Sequence, residues 1–107
     1  MLCVGVMYSQ DENTTYEQNG DLVEITSRYD NGQIEQHGFF KDKKLHGIWT
    51  YYNQEGKKMA RGNYENGVKT GKWLFWNNKT LKEVKYLKGK VVNVKELSSD
   101  SSMAYSD

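Results

Sequence analysis

A chain of 107 residues with 36% apolar and 27% charged content, no proline and one cysteine has the size of one small soluble domain. It is too short for a two-domain enzyme, no run of about 18 apolar residues is present to cross a membrane as a helix, and the lone Cys3 has no second thiol for a disulfide, a redox pair or a zinc site. The net charge of +1 conceals an uneven spread, because residues 1–40 hold seven acids and one base, residues 41–95 fourteen bases and four acids, and residues 96–107 three acids. A basic central stretch concentrates polyanions, or else forms a solvated face whose lysines guard strand edges. The 10 glycines, 8 tyrosines, 3 tryptophans and 3 phenylalanines, with no proline, suit strands joined by tight turns, and the fold expected is all-β.

In chain order, the apolar start Met1 to Tyr8 runs into a polar stretch and resembles the end of a secretory signal, shortened because no Lys or Arg precedes Arg28. Segment 1–9 is therefore read as a truncated signal and 10–20 as a polar linker, which places the protein in the periplasm or outside the cell, and otherwise in the cytoplasm. Cys3 lacks the small residues that a lipid-attachment site needs. Residues 21–97 form the folded domain, and the serine-rich 98–107 is expected to be a disordered tail.

The domain repeats with a period of 24. Gly47 aligns with Gly71, Trp49 with Trp73, Tyr51 with Phe75, Tyr52 with Trp76, Gly38 with Gly62, and Phe40 with Tyr64. A first copy begins near Asp21, with Ile25 and Ser27 where the others carry an aromatic residue. Each copy reads as a β-hairpin: Gly47 to Tyr52 is an aromatic strand, 53–56 a turn, and 57–65 the returning strand, before Asn66-Gly67 turns into the next copy. After Trp76 the period falls to 22, pairing Tyr64 with Tyr86 and Gly67 with Gly89. A deletion of two residues keeps every side chain on its own face of a strand, whereas a deletion of one would reverse them all.

With Trp49 opposite Gly62 and Trp73 opposite Val84, the turns close at Asn53 with Lys58 and at Asn77 with Thr80. One face then carries Trp49, Tyr51, Ala60, Gly62 and Tyr64, continued by Trp73, Phe75, Val84 and Tyr86. These are the expected structural residues, with glycine leaving room for the indole across the hairpin. The other face carries Ile48, Thr50, Tyr52, Met59, Arg61, Leu74 and Trp76. A last strand at 91–96 caps the array.

The pattern G-x-W-x-Y-Y-x-x-x-G followed by G-x-Y-x-N-G-x-x-x-G, carried by Gly47, Trp49, Tyr51, Tyr52, Gly56, Gly62, Tyr64, Asn66, Gly67 and Gly71, resembles the bacterial variant of the MORN (membrane occupation and recognition nexus) repeat. In the next copy Trp73, Phe75, Trp76, Tyr86 and Gly89 match, while Thr80 and Val84 replace glycines. The resemblance covers residues 21–89. It implies an elongated, single-layer, curved antiparallel meander of about three stacked hairpins that binds or scaffolds without catalysis. Some such proteins are labelled YwqK-type antitoxins, and eukaryotic relatives are linked to anionic lipids.

No catalytic constellation is expected. Gly67-Val68-Lys69-Thr70-Gly71-Lys72-Trp73 has its glycines one residue too close for a phosphate loop, and Trp73 stands where the magnesium-binding Ser or Thr belongs. His37 and His46 have no carboxylates or thiols at metal-ligand spacing. No cofactor and no metal is therefore expected. Binding is assigned to Tyr52, Arg61, Trp76 and Lys85 on the second face, with a protein as the first expected partner. An anionic lipid or polyanion is the alternative, and nucleic acid is disfavoured for an exported chain.

Overall fold

The computed structural model describes residues 6–8 and 13–97, and all of its regular structure is β. Nine strands run in order: β1 (Val6–Tyr8), β2 (Thr14–Asn19), β3 (Leu22–Arg28), β4 (Ile34–Lys41), β5 (Lys44–Tyr52), β6 (Lys58–Glu65), β7 (Val68–Asn77), β8 (Thr80–Leu87) and β9 (Lys90–Leu97). They form one antiparallel sheet in which spatial order equals chain order, an unclosed and curled meander measuring 47 × 34 × 21 Å. The hairpins β3–β4, β5–β6 and β7–β8 are the three repeat copies.

The polar linker expected at 10–20 is corrected: its second half is β2, paired throughout with β3 from Thr14↔Ser27 to Asn19↔Leu22. Threonine and tyrosine at Thr14, Thr15 and Tyr16 are good strand formers even in a polar segment, and a half-exposed strand does not need apolar residues at every second position. The segments read as a signal and as a tail lie outside the described residues, apart from the backbone of β1.

Two kinds of turn alternate along the sheet. At one end Asp42-Lys43, Asn66-Gly67 and Lys88-Gly89 all have positive φ at both positions, the tight reversal whose twist matches the flanking strands. At the other end the turns at 29–33 and 53–57 are identical: the Tyr29 and Asn53 amides donate to Gln33 and Lys57, and the Gly32 and Gly56 amides donate back to Tyr29 and Asn53. Asn53 Oδ1 also accepts the Glu55 and Lys57 amides.

Trp49 stands opposite Gly62, Trp73 opposite Val84, and Asn77 opposite Thr80, as the spacing predicts. The second hairpin closes at Asn53 with Lys57, not with Lys58, because a bulge follows: Tyr52 faces Lys58 while Tyr51 faces Ala60. The shorter third hairpin has no bulge. Its deletion therefore removes one loop residue together with the bulge, and the sum stays even.

The core lies on the inner face of the curl. Trp49 and Trp73 are 2% and 1% exposed, and Ile25 and Val84 are buried beside them. Phe40 and Tyr64 meet Trp49 edge-on and Tyr51 stacks on it, while Tyr64, Phe75 and Tyr86 surround Trp73 in the same way. In the first copy Ser27 takes the position of Tyr51 and shares a hydrogen bond with Thr14.

Glycine serves the indoles differently from the expectation. Each indole lies over the glycine of the preceding copy, Trp49 on Gly38 and Trp73 on Gly62, and a methyl group at either glycine would overlap the ring. The two strands make room by a bulge. One residue, Gly38, lies opposite three, 47–49, and Gly62 opposite 71–73, with Gly47 and Gly71 at φ of 75° and 72°. The carbonyls freed there accept the indole N–H groups, Trp49 Nε1–H to Phe39 O at 2.9 Å and Trp73 Nε1–H to Asn63 O at 3.1 Å. Val84 is then explained, since no later tryptophan has to lie on it.

Candidate binding surface

The outer face of β5–β8 carries the residues assigned to binding. Cross-strand register sets three rows on it. Tyr52 faces Lys58 and Trp76 faces Leu81 at the end with the longer turns. Thr50, Arg61, Leu74 and Glu83 form the middle row, extended to Lys95. Lys72 and Lys85 stand directly opposite each other in a third. The structure thus puts all four assigned residues on one face, but Lys85 is four positions along the strand from the row of Trp76 and joins a separate, basic end of the surface.

That face is neither a second core nor a plain solvated surface. Thr50 and Leu81 are buried, with Leu81 at 0% exposure between its cross-strand neighbours Trp76 and Leu97. Tyr52, Arg61, Leu74 and Trp76 are half-buried, and Ile48 and Met59 are 42% exposed. The Lys58 ammonium lies 6.0 Å from the centroid of the Trp76 ring. The Tyr52 carbonyl accepts the Tyr29 hydroxyl at 2.7 Å, and the Asn31 side-chain amide donates to Gln54 O, so adjacent turns are tied into one ledge beside Tyr52.

Charge is distributed unevenly over the same face. Lys72 reaches Glu83 at 3.5 Å, and Glu83 also faces Lys95 across the strands. Toward the first copy, Glu24 and His37 pair at 2.6 Å. A polar notch of about 460 Å³ opens beside the turns of the first two copies, with Arg28, Asp30 and Glu35 on its walls. Arg28 donates to Gly32 O, Asp30 accepts the Asn13 amide, and Glu35 accepts the Ser27 hydroxyl. On the inner face, burial and then the hydrogen bond with Tyr64 raise the Tyr51 hydroxyl well above its ordinary pKa of 10.0.

Sequence reasoning missed the notch, the buried Leu81 and the place of Lys69, whose ammonium lies over inner-face rings. Lys69 was legible in principle, because it precedes Trp73 by an even number of strand positions. The notch was not, since it depends on how two turns stack. Among the described residues no three His, Cys, Asp or Glu side chains cluster at metal-binding spacing, and no helix is long and apolar enough to cross a membrane. Comparison with known proteins returns no matching family model and no matching curated protein.

Proposed function

We propose that the chain is a non-catalytic, repeat-based binding and scaffold module that engages a protein partner through the outer face of the sheet. The supporting observation is the division of its aromatic residues. Trp49 and Trp73 are consumed by packing, whereas the outer face keeps Tyr52 and Trp76 half-exposed at one end, bordered by Met59 and Arg61. Aromatic residues and arginine at the centre of a surface patch are the side chains that carry most binding energy in protein interfaces. A location in the bacterial envelope and membership of the MORN-like repeat proteins are part of this proposal. They rest on the apolar segment 1–8 and on the glycine and aromatic spacing.

The directly opposed Lys72 and Lys85 favour a second reading, in which an acidic surface is bound at the basic end, as for a YwqK-type antitoxin masking an acidic toxin, or an anionic lipid or other polyanion. Salt separates the two. Binding that depends on exposed lysines weakens steeply between low and physiological salt, where screening acts over about 8–10 Å. Recovery of a partner at both salt concentrations, lost in a Tyr52→Ala, Trp76→Ala variant, supports the aromatic patch. Recovery that vanishes with salt and ignores the double variant overturns it in favour of the basic end.

A further inference from the structure

On the inner face the side chain of Lys69 ends among three aromatic rings. Its Nζ lies 5.0 Å from the centroid of Trp73, 5.2 Å from Tyr86 and 5.9 Å from Phe75. Among the described residues no carboxylate pairs with this ammonium. The rings are held in place independently of it. Trp73 donates its indole N–H to Asn63 O, stacks on Phe75 at 6.0 Å and meets Tyr86 edge-on at 6.1 Å. The register does the rest, since β7 and β8 place Trp73 opposite Val84 and Tyr86 opposite Gly71 on adjacent strands.

The arrangement belongs to one copy only. In the preceding repeat the equivalent rings are Trp49, Tyr51 and Tyr64, and the position 24 residues before Lys69 is Leu45. The equivalent position in that copy therefore carries an apolar side chain. The third copy has a cation there instead, and three converging rings are the chemistry that selects cations, quaternary ammonium above all, because it is weakly hydrated and loses little on entering.

We propose that the box of Trp73, Phe75 and Tyr86 is a recognition site for a quaternary alkylammonium group, with Lys69 as its placeholder in the free protein. Lys69 is half-buried, on a flexible four-carbon stem that can swing toward water. A cation–π contact is worth about 1 kcal/mol at an exposed site and about 2 kcal/mol when desolvated, so the half-buried placeholder competes with an incoming cation by about five- to thirty-fold. The site lies on the face opposite Tyr52 and Trp76, so it stands or falls separately from the partner surface.

The test is titration of the intact chain with tetramethylammonium chloride, read at the Trp73 indole N–H resonance against sodium chloride at equal concentration. A Lys69→Ala variant is expected to bind about five- to thirty-fold more tightly than the native chain, and a Lys69→Met variant, which fills the box with an apolar stem, to bind no more than the salt control. If Lys69→Ala does not fold, Lys69→Thr, a better strand former, replaces it. If neither folds, the native titration decides alone. Choline and a peptide carrying trimethyllysine then distinguish a free ligand from a modified side chain of a partner by which binds more tightly. A folded Lys69→Ala protein whose Trp73 signal moves no further than in sodium chloride overturns the proposal, as does a native chain with no shift where no variant folds.

Discussion

At the scale of single residues, the contact between an indole and the glycine beneath it holds successive copies together, and it makes two positions intolerant for one reason. Adding a methyl group at Gly62 overlaps Trp73 itself, a pinned ring with no flexible end to yield. Gly62→Ala is expected to cost about 3 kcal/mol, the upper end for overpacking, and Trp73→Ala roughly 3–5 kcal/mol by loss of burial. Because the alanine clashes only with the indole, the double variant should be less destabilised than the sum of the two. Urea denaturation of all three measures this, and simple additivity would show that the ring does not rest on Gly62. Tyr51 gives a pH-dependent counterpart. Its folded pKa is raised, so its contribution is fully present below pH 10 and is lost as pH rises above the unfolded value of 10.0. Unfolding midpoints followed from pH 8 to about 11 should fall at the alkaline end, and Tyr51→Phe should flatten part of that fall.

At the scale of elements, the hairpin partners were legible in the sequence and the joins between hairpins were not. In the third hairpin the turn sets the register and Trp73 opposite Val84 follows from it, whereas in the second Trp49 comes opposite Gly62 through a bulge beside the turn, which the repeat spacing absorbs. Between hairpins the register passes through a bulge that sets one residue against three, and no count of residues along the chain reveals it. For that reason spacing sets glycine under the wrong indole, and Val84 reads as a departure when it only marks where the tryptophans stop. The strand β2 was hidden by its polarity. The candidate surface was legible as a face, because alternation places Tyr52, Arg61, Trp76 and Lys85 together, but burial of Thr50 and Leu81 depends on curl and neighbouring strands. The turns add a prediction of their own. Lys43 sits at φ 67° where the equivalent turns have Gly67 and Gly89 at 82° and 83°. Left-handed backbone costs a residue with a side chain about 1–2 kcal/mol, partly offset by the greater entropy glycine loses on folding. Lys43→Gly should therefore stabilise the fold by about 0.5–1 kcal/mol, and an unchanged or lower urea midpoint would contradict it.

At the scale of the whole molecule, each strand packs chiefly against its neighbours in the chain, so stability is passed from copy to copy. The best-anchored strands are β5–β7, which hold both indoles, both underlying bulges and the neighbouring rings of Tyr51, Tyr64 and Phe75. The weakest of the strands β2–β9 is β9. It lies at the open edge of the described sheet, every residue but Leu97 is exposed, and Val91, Val92 and Val94 are each more than half exposed. Local opening needs little energy where few apolar contacts are lost, so among β2–β9 amide exchange should be fastest in β9 and slowest in β5–β7. Trp73→Ala removes the anchor between the second and third copies and leaves Trp49 on Gly38 untouched. Exchange in this variant should therefore rise in β7–β9 while β3–β5 keep most of their protection. Uniform acceleration of every strand would instead mean that the three copies unfold as one cooperative unit, with no separate junction at Trp73.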